Sequence, residues 1–331
     1  MTIRIMAEAA QGYEGKIEYC MTYVSAAAKA NADAVKFQIV YADDICEPGH
    51  VHYEIFRSLE MPTENWAAVK NSADEKSIPF VAEIFGGQSL EVAEILKPNW
   101  IKIHSTDFFN RPLIKRSFEI AQTVFVSAGG ATEDEITNLV DEISSWGSAS
   151  QLVLLYGFQA EPTPIEKSGL AKIPVLRKRF PDIELGYLDH TAGESEDRVH
   201  VSAMAMALGV HWIEKHITLS RFLEVEDFVS ALEPDEFANY VQAMHRLSGA
   251  FGAADLSLSD EEKTYRDKAM KKVLAARDLV AGDVISDSDI KLIRTPRIAP
   301  GSGLHDPAQI IGQRLANNHR AGEAFQPGDF E

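Results

Sequence analysis

Eight short runs rich in β-branched and aromatic residues recur along the chain, separated by segments with apolar residues at helical spacing. The runs are Ile3–Glu8, Ala34–Val40, Pro79–Ile84, Trp100–Ser105, Val124–Ala128, Leu152–Tyr156, Glu184–Asp189 and Trp212–Thr218. Between them lie helical patterns such as Ser89–Leu96, Glu133–Trp146 and Glu196–Leu208. Eight strand–helix units in succession predict an α/β fold, a closed (β/α)8 TIM barrel; an open doubly wound sheet usually has fewer units. The long interval after the second run, with VHYEIFRSLEMP, predicts an added loop and helix over one rim.

The last barrel helix is expected at Pro234–Leu247, closing a barrel domain over residues 1–250. GAFGAADLSLSDEE, rich in small and acidic residues, reads as a linker over 251–268. From 269 to 331, short apolar runs broken by AGD, TPR, PGSG and AGE predict a small β-rich module. A module of that size has a thin core and is expected to need a partner surface. The net charge of −18 sets nucleic acid aside as a partner and disfavours capture of anions, so an anion site here needs local cations. Cys20 and Cys46 make neither a disulfide framework nor a zinc cluster, and read as thiols of a reducing cytoplasm. The sequence shows neither a signal-peptide pattern nor an apolar run long enough to span a bilayer, so no membrane partner is expected.

In a (β/α)8 barrel the active site lies at the C-terminal ends of the strands. Each of the eight runs ends in groups that ionise or hydrogen-bond: Glu8; Lys36 and Gln38; Glu83; Lys102, Ser105 and Asp107; Ser127 before Gly129-Gly130; Tyr156 and Gln159; Asp189 and His190; Glu214 and His216. Such groups among apolar runs are costly unless paired or used. Lys36 and Lys102 suit a phosphate, a carboxylate or a Schiff base; the alternative is a buried ion pair with Glu8 or Glu83. His190 and His216 end adjacent strands, close enough to share a metal. With nearby carboxylates that ion is expected to be Mn²⁺, with Mg²⁺ and Co²⁺ as alternatives; zinc would call for a third ligand or a thiolate.

These residues resemble the sialic acid synthase family. The resemblance rests on Ala7-Glu8 with Glu14-Gly15, Ala34-Val35-Lys36-Phe37-Gln38, Trp100-Ile101-Lys102-Ile103 with Ser105, and Ser127 before its glycine pair. It continues through Pro162-Thr163-Pro164, Asp189-His190-Thr191, Ile213-Glu214-Lys215-His216 and Ser230-Ala231-Leu232-Glu233-Pro234. AARDLVAGDVISDSDIKLIRTP through IIGQ is similar to that family's antifreeze-like (SAF) domain.

The resemblance implies condensation of phosphoenolpyruvate with an open-chain N-acetylhexosamine such as N-acetylmannosamine. C3 of the donor attacks the aldehyde, water adds at C2, and phosphate leaves by C–O cleavage. It implies a metal on His190 and His216, with Glu8 positioning water or moving a proton. Lys36 would face the pyruvate carboxylate, and Lys102, Ser105 and Ser127 the phosphate. Gln38 and Gln159 would be further substrate contacts, and Asp107 and Asp227 would meet the sugar. It also implies a domain-swapped homodimer in which Arg294, or Arg297 after a short shift, reaches the other subunit's site. The chain departs from the family pattern at Glu83 and Leu188, where hydroxyl residues are usual, at Gly12-Tyr13, and at Gln159 and Glu161. Two other readings keep the barrel: a non-catalytic sugar-phosphate-binding homologue, and a metal-dependent lyase or hydrolase.

Overall fold

A computed structural model describes residues 2–157, 160–296, 299 and 301–331. Eight parallel strands close into a barrel: β1 (Arg4–Glu8), β2 (Ala34–Ile39), β3 (Phe80–Ile84), β4 (Trp100–Ile103), β5 (Val124–Ser127), β6 (Leu152–Tyr156), β7 (Glu184–Asp189) and β8 (Trp212–His216). β8 pairs back onto β1, with His216 opposite Glu8. The expected TIM barrel is the fold observed. β4 stops at Ile103, short of the expected Ser105, because the chain turns there into a 3-10 helix (Ser105–Asp107) whose first residue pairs are tied by the His104 ring accepting the Thr106 N–H.

The period of two along a strand divides each run between barrel interior and helix layer. Outward residues such as Val35, Phe37, Ile101, Val126, Leu154 and Ile213 pack on the surrounding helices. The helix Glu133–Ser145 shows why these segments are helical: Ile136, Leu139, Val140 and Ile143 form one buried stripe, and Thr132 and Glu135 close a capping box.

Inside, the barrel is layered. Met6, Ala34, Val81, Phe125, Val153, Leu155, Leu188 and Trp212 form an apolar plug, with Trp100 packed against it. The Phe125 and Trp212 rings meet edge to face at 5.0 Å, and Gly186 makes the room: a Cβ there would lie 2.5 Å from Leu155 Cδ2. Two residues further along five of these strands, toward their C-terminal ends, stand Glu8, Lys36, Glu83, Lys102 and Glu214. The same alternation that builds the plug therefore lifts a layer of buried charge directly above it.

The interval after β2 carries two short helices, Ala42–Ile45 and Tyr53–Leu59. The chain divides into two compact units, up to Gly252 and from Ala253 onward. The stretch read as a linker is partly helical: Ser259 and Glu262 cap a helix over Asp260–Ala269, with acidic residues in its first turn and Arg266 and Lys268 in its last. None of its residues is buried. Without an apolar stripe the segment lacks the sequence signal of a helix, and the capping box supplies it instead.

In the second unit, β9 (Lys272–Ala275) and β10 (Ile290–Ile293) pair antiparallel. Its core is small: Val273, Ala275, Leu279, Ile285, Ile310, Leu315 and Phe325. Among the described residues no helix is long and apolar enough to cross a membrane.

Candidate active site

At the C-terminal mouth of the barrel lies a cavity of about 350 Å³. Glu8, Gln38, Lys102, His190, Glu214, His216 and Asp227 line it, arriving from β1, β2, β4, β8 and the loops after β7 and β8. Lys36 and Glu83 lie beneath, fully buried.

The floor is one ionic cluster. Lys36 Nζ contacts the carboxylates of Glu8 and Glu83 and lies 3.3 Å from Glu214 Oε1. Lys102 Nζ is 3.1 Å from Glu83 Oε1 and 2.8 Å from Glu214 Oε1. Burial disfavours the charge on Glu214, yet Lys102 and Lys36 outweigh it and hold the carboxyl down at about 2. Glu83 is likewise buried, and the same two ammonium groups keep it below the usual carboxylate range. Burial pulls Lys36 down to about 8.

On one wall the His190 and His216 rings approach to 5.1 Å between centroids. Both Nε2 atoms face Glu161 Oε1, at 3.3 and 3.6 Å. One ligand atom from each of these three residues lies within 4.8 Å of the others. Burial pulls His190 down to about 4 and His216 well below the usual histidine range, so both imidazoles are neutral, the form that ligates metals. Burial, and then neighbouring Asp227, push Glu161 up to about 9. His190 Nδ1 is buried without a hydrogen-bond partner. Two neutral imidazoles and a carboxylate starved of positive charge are a donor set that fits a divalent metal. Glu161 also removes the objection to zinc, which rested on a count of two protein ligands.

Lys215 fixes this wall. Fully buried, its ammonium donates to Asp189 Oδ1 (3.2 Å) and to the Thr191 carbonyl (2.6 Å), tying β8 to the turn that carries His190. The Ser202 hydroxyl holds the other Asp189 oxygen and shares a 2.5 Å bond with the Tyr240 hydroxyl. Such outer partners commonly set ligand orientation. Lys215→Met is therefore expected to weaken divalent-metal binding by about 10–100-fold. Calorimetry on a chain shown to be folded by circular dichroism measures this; unchanged affinity would refute the role.

The profile of the NeuB family matches residues 23–255, and that of the SAF domain matches residues 273–331. The chain belongs to the NeuB family. It is 28% identical over 341 residues to the N,N'-diacetyllegionaminic acid synthase of Legionella pneumophila, covering 97% of this chain and 93% of the relative. It is 28% identical over 344 residues to a pseudaminic acid synthase of Campylobacter jejuni, covering 99% and 96%. Among solved structures, the N-acetylneuraminic acid synthetase of Leptospira borgpetersenii in complex with citrate superposes with a TM-score of 0.74 at 25% identity, over 81% of this chain and 93% of that one. The spore coat polysaccharide biosynthesis protein E of Chromobacterium violaceum shares the fold, with a TM-score of 0.83 at 19% identity over the whole of both chains.

Of the residues singled out in the sequence of this NeuB-family chain, Glu8, Lys36, Gln38, Lys102, His190, His216 and Asp227 converge at the mouth or just below it. Asp227, in a left-handed backbone conformation (φ 63°), places Oδ2 3.7 Å from His216 Nδ1. Ser105 faces a neighbouring cavity of about 240 Å³ shared with Gly129 and Gly130, and Ser127 is fully buried. Asp107 accepts a 2.8 Å hydrogen bond from Asn110 and stands outside the lining of the central cavity. Leu188 belongs to the apolar plug and offers no hydrogen bond at its side chain. Arg294 lies in the second unit, where its Nε donates to the Ala269 carbonyl at 2.6 Å. Gln159 and Arg297 lie outside the described residues.

Several lining residues carry no role in the sequence reading, Glu161, Glu214 and His104 among them. In the sequence Glu161 stands out only as a departure from the family pattern, and Glu214 only as a strand-end polar group within the Ile213-Glu214-Lys215-His216 motif. His104 gave no signal beyond its place after β4; it lines the mouth with its Nδ1 bonded to the Thr106 N–H.

Proposed function

We propose that this chain is a nonulosonic acid synthase that joins phosphoenolpyruvate to an N-acetylhexosamine-type aldose and releases phosphate. The observation that carries this reading is the coincidence, in one barrel mouth of a NeuB-family chain, of a His190–His216–Glu161 metal set with the Lys36–Lys102 pair. A divalent metal held there, Mn²⁺ in this proposal, would supply Lewis-acid polarisation of a carbonyl oxygen. Lys102 and Lys36 would hold the anionic groups of the donor. Glu8, anchored by the Ala10 N–H to its Oε1 (2.5 Å), stands opposite His216 and is placed to move a proton. Gln38, fixed by the Gln11 amide (2.8 Å), would orient a substrate hydroxyl or carboxylate, with Gln159 as a further contact. Asp227 would meet the sugar from the side of the histidines. Ser105 and Ser127 would act on the phosphate, and Asp107 on the sugar.

The test is phosphate release with Mn²⁺ across a set of aldoses. Release is expected only when phosphoenolpyruvate and an aldose are both present. The His₂–carboxylate set also favours a second reading, a metal-dependent lyase or hydrolase. Consumption of a sugar without phosphoenolpyruvate would establish that reading and end the first.

The proposal includes the domain-swapped homodimer, with Arg294 acting in trans. Arg294→Ala and His216→Ala chains, each nearly inactive alone, are expected to regain activity when mixed. Verified subunit exchange without recovery ends the role of Arg294.

A further inference from the structure

The floor of the cavity contains more negative than positive charge. Lys36 (β2) and Lys102 (β4) are its ammonium groups, while Glu8 (β1), Glu83 (β3) and Glu214 (β8) are its carboxylates. All five are at most 4% exposed, so water screens them little. Glu83 and Glu214 each reach both lysines, Glu83 with one oxygen to each lysine and Glu214 with a single oxygen, Oε1, to both. The other groups that face Glu83 are Glu214 on β8, whose negative charge opposes its own, Gln38, its register partner on β2, and the ring of His104 at the mouth, which burial keeps in its neutral form. Glu8 Oε2, Glu83 Oε1 and Glu214 Oε2 are buried without a hydrogen bond, although Lys36 contacts the first and Lys102 lies 3.1 Å from the second, a sign that the two lysines are outnumbered by the carboxylates around them. The lining adds Glu161, Glu226 and Asp227 above this floor. An anion entering the cavity therefore meets no uncommitted ammonium among the described residues.

We infer that Glu83 is a built-in competitor for the anion site: it occupies the lysine pair as a ligand carboxylate would, and an anion binds only as Glu83 takes up a proton and gives up its contacts. The inference rests on reading Lys36 and Lys102 as the anion site of the donor. Its sign follows from linkage. In the free chain Glu83 is ionised, and the incoming negative charge raises its proton affinity. Binding thus takes up a proton and weakens as pH rises, by at most about ten-fold per pH unit for one proton. Glu83 is then a specificity determinant, because it makes donor affinity depend on how well the ligand outcompetes a tethered carboxylate.

Titration calorimetry on the full-length chain tests this, with identical metal loading in all samples. The probes are phosphoenolpyruvate at pH 8 and inorganic sulfate, whose charge is constant across the range. Buffers of different ionisation enthalpy report the protons taken up. Wild type is expected to take up a proton on binding. Glu83→Gln, nearly the same shape and leaving two lysines against two glutamates, is expected to bind at least about ten-fold more tightly with that uptake gone. Equal affinity in the two proteins overturns the inference. So does proton uptake that persists in Glu83→Gln, which would assign the proton to Lys36. If sulfate gains affinity in Glu83→Gln while phosphoenolpyruvate binds neither protein, Glu83 is the competitor and the donor assignment is wrong. If neither probe binds either protein, both readings fall.

Discussion

Removing divalent metal from the full-length chain is expected to abolish turnover, and Mn²⁺ is expected to restore it. The magnitude follows from the site: among the residues that line the mouth, the lysine is already engaged by carboxylates and both histidines are neutral, so little else is available to stabilise charge developing on a carbonyl oxygen. His190→Ala and His216→Ala are each expected to weaken Mn²⁺ binding at least about ten-fold by calorimetry. Glu161→Ala separates a three-ligand site from a two-histidine site: loss of affinity supports the first, and wild-type affinity supports the second. Comparing Mn²⁺, Mg²⁺, Co²⁺ and Zn²⁺ in the same titration decides which ion the set prefers. Full activity in a demonstrably metal-free chain ends the metal role.

The second large effect is on stability. Lys36→Met is expected to cost about 3–5 kcal/mol, because it leaves Glu8, Glu83 and Glu214 buried against Lys102 alone. The double variant Lys36→Met/Glu83→Leu restores the charge excess of the wild type and is expected to recover a good part of that loss. Urea denaturation of the two variants and the wild type measures both values. A Lys36→Met chain as stable as the wild type would show that the cluster is hydrated or partly neutral. No recovery in the double variant would show that Lys36 acts through packing and not through charge.

Much of this architecture was legible in the sequence because a barrel strand is a local pattern. β6 and β7 have the bounds that the pattern gives, and the other six differ by one or two residues at an end. The strand-end rule then placed Glu8, Lys36, Lys102, His190 and His216 at or just beneath a common rim, since each is fixed by its own strand's position and by the two-residue alternation. The helix within the stretch read as a linker was not legible, because it has no buried face and is held by capping alone.

What the sequence by itself determined is therefore the barrel, its rim, and which strand-borne side chains point toward it. Only the closed tertiary structure decided which of them meet. Lys36, Glu83, Lys102 and Glu214 come from four strands, and their mutual neutralisation depends on closure bringing β8 round to β1 and on the inner radius of the barrel. Glu161 lies on a loop after β6, outside any period, so no pattern announces that its carboxylate turns toward His190 and His216. Strand periodicity sets direction residue by residue, whereas charge pairing and metal geometry depend on distances across the barrel, which exist only after the chain has closed.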